Sequence, residues 1–257
     1  MPKILILDIE TSPILAHVWS IWQENIGLNQ IVKDWHILSF SAKWYKEKEI
    51  FYFDQRNEKN IEDDKTLLKK LSTLINQADV IVGHNLDKFD IKKINARLIL
   101  NELQPLIEPK QVDTLKLAKK KFAFTSNRLE YLTNKLCTKY KKSSHKKFTG
   151  FELWTGCLKG DIKAWKEMEK YNKLDVLSLE ELYTKLSVFV DPIRHENYRD
   201  SINKDKCDCG SHLQKWGHYV TTKGKFTKLR CPDCGRVYKG TENLLSKEKR
   251  KNDIKRV

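Results

Sequence analysis

The sequence has 257 residues, 49 Lys and Arg against 34 Asp and Glu, a formal net charge of +15 and 40% hydrophobic residues. That apolar content is too high for a disordered chain, and ten Gly and six Pro exclude a fibrous or linker-like one. No apolar run reaches the ~18 residues of a membrane span, and Asp8 and Glu10 cut off the opening Ile4-Leu5-Ile6-Leu7 too early for a signal peptide, so the chain reads as soluble and intracellular.

Lys3–Asp8 has the short, β-branched apolar run of a buried strand, and Trp35–Tyr45 and Glu49–Asp54 read as two more, joined by a Lys46-Glu47-Lys48 turn. Thr66–Ile75 has helical spacing, through Leu67, Leu68, Leu71, Leu74 and Ile75. Asp79–His84 is a further buried strand, Asp90–Leu100 returns to helical period, and Val112–Leu115 reads as a last strand. From Asn127 the signal is helical, first through Leu129, Leu132 and Leu136, then over Ala164–Leu186. Strands, then alternation, then helices predict an α/β domain over residues 1–195. Arg194–Lys206 is a polar linker, a small cysteine-bearing module follows over 204–240, and 241–257 is a basic tail.

The charge is uneven. Residues 116–147 carry 11 basic side chains and one acidic, residues 196–257 carry 16 and 8, and the remainder is slightly acidic. Two lysine-rich solvated faces would give this pattern; so would two segments gripping a phosphate backbone beside an acidic core, with nucleic acid as partner.

Three carboxylate clusters stand out. Asp8 and Glu10 share one face of the first strand by its period of two, with Ile9 on the other. Two such acids repel unless a cation or proton intervenes. Gly83-His84-Asn85-Leu86-Asp87-Lys88-Phe89-Asp90 leaves a strand and opens a helix, where Asp90 suits either a cap or a ligand. Tyr171 and Asp175, four apart, share a helix face.

In this order the three clusters resemble the four-acidic-residue 3′–5′ exonucleases in their tyrosine-bearing branch, of ribonuclease H-like fold. The likeness is greatest to freestanding phage and prophage exonucleases related to the proofreading domain of family B DNA polymerases. It is carried by DIETSPILAHVWSIW (Asp8–Trp22), DWHILSFSAKW (Asp34–Trp44), VGHNLDKFDIKKIN (Val82–Asn95), DTLKLAKKKFAFTSNRLEYL (Asp113–Leu132) and Gly150–Tyr183. The resemblance implies an α/β mixed sheet flanked by helices, and two Mg²⁺ or Mn²⁺ ions. Asp8 would bridge them, with Glu10 and Asp175 on the first and Asp90 on the second. Tyr171 would orient or deprotonate the attacking water. Thr11, Asn85 and Phe89 would hold the terminal nucleotide. Hard oxygen ligands suit these ions rather than zinc, and two divalent ions are what phosphodiester hydrolysis asks for. Position 170 is Lys, where relatives of the other branch carry a histidine, so the base is Tyr171 or none. Asp87 competes with Asp90 as the middle carboxylate. His84 is read as a packed residue and Asp113 as structural or supporting.

Of the six cysteines, Cys137 closes the apolar stripe after Leu136 and Cys157 has no neighbour of its kind; both read as structural. Cys207-x-Cys209-Gly210 and Cys231-x2-Cys234-Gly235 have the form of paired zinc knuckles, one residue short in the first. The expected ligands of one structural Zn²⁺ are Cys207, Cys209, Cys231 and Cys234, with His212 or His218 able to stand in for Cys207. The module resembles a zinc ribbon. Lys215, Trp216, Tyr219, Lys223, Lys225, Phe226, Lys228 and Arg230 lie between its knuckles, in the mix of base and aromatic that binds nucleic acid or, alternatively, packs the ribbon and docks a protein.

The sequence therefore predicts a two-metal 3′–5′ exonuclease on single-stranded DNA 3′ ends, releasing 5′-mononucleotides in the cytoplasm (a bacterial host's, if phage-encoded). An exoribonuclease and a non-cutting nucleic-acid-binding protein are the alternatives.

Overall fold

The structure is a computed structural model that describes residues 2–23, 25–141, 148–190, 193, 205–207, 209–221 and 224–248. The chain divides into two compact units, Pro2–Ile193 and the residues from Arg194 onward. Most of the linker and basic tail expected from sequence, and residues 142–147 of the lysine-rich stretch, lie outside the described residues.

The larger unit is built on a five-stranded sheet of order β5–β4–β1–β6–β7. Its strands are β1 (Ile4–Thr11), β4 (Ile37–Trp44), β5 (Phe51–Asp54), β6 (Val80–Gly83) and β7 (Lys110–Asp113). A two-stranded arm, β2 (Leu15–Ala16) and β3 (Ile31–Lys33), intervenes after β1. In the centre, β1 pairs antiparallel with β4 from Leu5↔Trp44 to Thr11↔Ile37, but parallel with β6 only from Ile4↔Val80 to Ile6↔Val82. Beyond Ile6 that edge of β1 is left to other partners, and the functional residues begin there.

Period two decides which helices each face of β1 meets. Leu5, Leu7 and Ile9 pack with Leu67, Leu68, Leu71 and Ile75 of α1 (Lys65–Asn76) and Ile91, Ile94 and Leu98 of α2 (Asp90–Leu100). The even residues, Asp8 and Glu10 among them, turn to the opposite face. There lie α5 (Glu152–Leu158) and α6 (Ile162–Phe189), with Leu153, Cys157, Ala164, Trp165 and Met168 packed on Leu38 of β4. At 28 residues, α6 is about 42 Å long. Between them come α3 (Thr114–Lys121) and α4 (Leu129–Leu136). The expected strand Val112–Leu115 is corrected: β7 stops at Asp113, whose carboxylate accepts the N–H groups of Leu115 (2.9 Å) and Lys116 (3.4 Å) and so starts α3. Cys137 and Cys157 are both buried, and desolvation raises both thiols, to about 11 and about 12.

One buried ion pair ties the elements together. Asp64, fully buried, accepts from Arg97 Nε (2.7 Å) and Nη2 (2.8 Å), from Asn101 Nδ2 (3.0 Å) and from the Ile37 N–H (2.9 Å). Arg97→Ala leaves that carboxylate inside without its cation. It is expected to lower stability by about 3–5 kcal/mol, read from urea unfolding; a change under about 1 kcal/mol would refute the assignment.

The smaller unit is a three-stranded antiparallel sheet of order β10–β9–β8, from β8 (Gln214–Thr221), β9 (Gly224–Arg230) and β10 (Val237–Lys239). Gly217, at φ 97°, accommodates a register shift in β8 between Lys215 and His218. Among the described residues, no helix is long and apolar enough to cross a membrane.

Candidate active site and cysteine cluster

Asp8 and Glu10 leave β1 on the α6 side, and Asp175 faces them from the middle of that helix. One oxygen from each lies within 4.8 Å of the others. Two unit charges at that distance repel by about 3.5 kcal/mol at an effective dielectric of 20. A divalent cation reverses the sign of that cost, and oxygen donors alone suit a hard ion. The β1–β4 register shifts between Glu10 and Thr11. This bulge ends the even-numbered face at Glu10. Ser12 then holds the chain on β4's approach: its N–H donates to His36 O (2.9 Å) and its Oγ accepts the His36 N–H (2.9 Å).

Two residues that the motifs did not include position these acids. Asn172, buried on α6 one turn before Asp175, donates through Nδ2 to Asp8 Oδ2 at 2.6 Å. Trp154 of α5 donates through Nε1 to Glu10 Oε2 at 3.0 Å. Its indole also stands edge-on to Tyr171, with ring centroids 6.2 Å apart at 77°. Trp154 thus links Glu10 and Tyr171, the one acting from β1 and the other from α6. Neither partner was visible from local spacing.

Asp90 is brought close by a different route. It is the first residue of α2 rather than its cap, and its Oδ1 accepts the N–H of Ile9 at 3.2 Å, on the edge of β1 that β6 leaves free. It is buried and outside the 4.8 Å group formed by Asp8, Glu10 and Asp175. Burial pushes its carboxyl up to about 7, opposed by the Ile9 and Asp90 backbone N–H groups and aided by Asp113. The folded state therefore holds this proton more tightly than the unfolded chain. The resulting stability is complete below about pH 4 and is lost as pH rises to about 7. The effect is at most about 4 kcal/mol. Without divalent ions, urea unfolding should show wild type losing stability from pH 4 to 8 relative to Asp90→Asn; parallel profiles would count against it.

The turn before α2 carries the other expected contacts. Asn85 has φ 69°, a left-handed conformation that Asn tolerates better than most residues. Its N–H donates to Asp113 Oδ1 at 3.0 Å, so the carboxylate that caps α3 also holds this turn. Asp87 lies outside the acidic group and pairs with Lys116. His84 bonds through Nδ1 with Thr114 Oγ1 (2.9 Å) and through Nε2 with Asn127 O (3.0 Å), a packed side chain rather than a member of the acidic cluster. Thr11 and Phe89 line an open pocket of about 480 Å³ beside Glu10, together with Phe151 and Trp154.

In the smaller unit, the sulfurs of Cys207, Cys209, Cys231 and Cys234 all lie within 4.8 Å of one another. The pairs Cys207/Cys234 and Cys209/Cys231 are each 3.5 Å apart. Tetrahedral zinc, with Zn–S near ~2.3 Å, sets sulfurs about 3.8 Å apart, so the cluster fits that ion. Gly210 (φ 98°) and Gly235 (φ 76°) close the two knuckles, their N–H groups donating to Cys207 O and Cys231 O. The Ser211 backbone and side chain pull the Cys209 thiol down to about 6, whereas burial pushes that of Cys234 up to about 12. His212 and His218 are not in the group; the His212 backbone forms an isolated β-bridge with that of Lys206.

The mixed sheet with an acidic cluster on its central strand and a late helix is ribonuclease H-like. A model of the RNase H superfamily matches residues 23–187, and the chain belongs to that superfamily. Over 144 residues, 56% of this chain, it is 27% identical to a DNA polymerase III PolC-type of Ureaplasma parvum serovar 3, of whose length the match spans 9%. The family B DNA polymerase from the hyperthermophilic archaeon Pyrobaculum calidifontis aligns over 74% of this chain and 25% of its own, with a TM-score of 0.49 and 14% identity.

Proposed function

We propose that this protein is a metal-dependent 3′–5′ exonuclease that hydrolyses single-stranded DNA and releases 5′-mononucleotides. The observation that carries the reading is the convergence of Asp8, Glu10 and Asp175 from two elements within 4.8 Å. Bound divalent ions would supply charge stabilisation and an acidified water. Asp8, Glu10 and Asp175 would hold the first ion, with Asp8 shared. Asp90, at the free edge of β1, would serve the second, through water. Tyr171, whose ring meets Trp154 edge-on, would orient the attacking water. Thr11 and Phe89 border the space for the terminal nucleotide, Asn85 would reach it from the turn before α2, and the lysines of 116–141 offer phosphate contacts. The Cys207/Cys209/Cys231/Cys234 unit would be a zinc ribbon. Its Trp216 and Phe226 lie under Arg230 and Lys239, a mixed surface suited to a nucleic-acid strand. DNA is favoured over RNA by the likeness to a DNA polymerase.

The test uses 5′-labelled single-stranded DNA and RNA with Mg²⁺ or Mn²⁺, with a chelator control. A one-nucleotide ladder from DNA, shortening at the 3′ end, is expected. Cleavage of RNA alone would make the protein an exoribonuclease. Binding without cleavage of either would make it a non-cutting nucleic-acid-binding protein.

A further inference from the structure

The arm that follows Thr11 carries the most exposed large apolar side chains among the described residues. Trp19 is 95% exposed, Leu28 87%, Ile21 86% and Trp22 84%. The arm nonetheless has a defined frame. β2 and β3 pair through Leu15↔Lys33 and Ala16↔Ile31, and Lys33 pairs with Glu62 at the base. Near the tip, Gln30 donates through Nε2 to His17 O (2.8 Å) and accepts at Oε1 from Gly27 N–H (2.9 Å) and Gln23 Nε2 (2.9 Å). Gln23 Oε1 in turn accepts the N–H of Trp19 at 3.2 Å. Two amide side chains thus hold the indole-bearing turn out from the body, a pre-ordered contact surface with little ordering entropy left to lose on binding.

We propose that this arm is a stacking platform for the single strand upstream of the 3′ end, with Trp19 and Trp22 meeting bases. The inference rests on the exonuclease reading above. Three observations favour a strand as occupant. The arm's root, Ser12 and Pro13, lines the same pocket as Glu10 and Phe89, so a strand ending at the carboxylates has an open way past that root. From Ser12 to Trp19 is seven residues, up to about 25 Å when extended, a length of several nucleotides. From Ser12 to Lys33 the ionisable residues are His17, Glu24 and Lys33, so phosphates meet no acidic wall, while Ser20, Gln23 and Asn25 add uncharged hydrogen-bonding groups. Indoles stack on any base, which suits a sequence-tolerant enzyme.

The test is binding of a fluorescent twenty-nucleotide dT strand with non-hydrolysable 3′ phosphorothioate linkages, with hydrolysis of a dT dinucleotide measured beside it. In the full chain, Trp19→Ala/Trp22→Ala is expected to weaken twenty-mer binding about tenfold or more. That loss should exceed the loss on the dinucleotide at least tenfold, and Trp19→Phe/Trp22→Phe should restore most of it. Unchanged affinity for the twenty-mer overturns the proposal. So does an equal loss on both substrates, or a wild-type dimer that the Ala variant dissociates with strand binding intact, which would make the arm an interface between copies. If wild type binds the twenty-mer through the indoles yet cuts nothing, the exonuclease reading fails and the platform stands. If it cuts and the indoles do not matter, the reverse holds.

Discussion

Asp8→Asn is expected to end hydrolysis while leaving the fold as firm as before or firmer. Asp8 is the carboxylate common to both proposed ions, and losing its charge removes several kcal/mol of transition-state stabilisation, about three to four powers of ten in rate. The same substitution removes one of three like charges within 4.8 Å. Without metal the variant should therefore unfold at the same temperature as wild type or above it. Mg²⁺ or Mn²⁺ should raise the melting temperature of wild type and not of the variant. The two readouts move in opposite directions, which separates loss of a metal site from misfolding. Retained cleavage, or a variant still stabilised by the ion, would place the reaction elsewhere.

Zinc removal should have the larger structural effect. The unit formed by β8, β9 and β10 has an exposed β8 along its whole length, and among its described residues the buried side chains are chiefly Cys207 and Cys231. So small a core cannot hold three strands together. Zinc binding by four thiolates contributes on the order of 10 kcal/mol, enough to decide whether this sheet forms. Freshly purified, reduced protein should contain one zinc per chain. A strong chelator, or Cys231→Ser with Cys234→Ser, should broaden the amide signals of Gln214–Lys239 in NMR spectra and leave those of β1, β4 and α6 in place. Metal analysis finding no zinc, or an ordered sheet after stripping, would contradict the assignment.

The sequence made legible whatever depends on short spacing. Period two assigned Asp8 and Glu10 to one face of β1 and Ile9 to the other, and the apolar residues at helical spacing in α1 and α2 marked the helices that cover it. The cysteine pairs signalled themselves by their glycines. What stayed illegible depends on partners far along the chain. Asn172 meets Asp8 across 164 residues and Trp154 meets Glu10 across 144, and neither contact leaves a local pattern. Two short helices were missed for compositional reasons: half of α3 is lysine, and α5 contains Gly156 and only seven residues. The end of β7 was misplaced because Val112 and Leu115 look strand-like until Asp113 is seen as a cap. The arm was hidden by its own composition, since exposed tryptophans in sequence look like core.

The 28-residue helix α6 also fixes a reading frame. Asp175 faces the β1 acids, Glu180 takes Lys43 Nζ at 2.6 Å and the Lys46 N–H at 2.7 Å, and Glu181 accepts the N–H groups of Thr138, Lys139 and Tyr140. These three acids lie within two turns but look in set directions. One codon inserted between 175 and 180 would swing the later pair by about 100° relative to the first. The helix could then serve the acidic cluster or its anchors, but not both. Length change is thus barred over a stretch where many single substitutions on the outer face would pass, whereas the tip of the arm, in the manner of exposed turns, can absorb it.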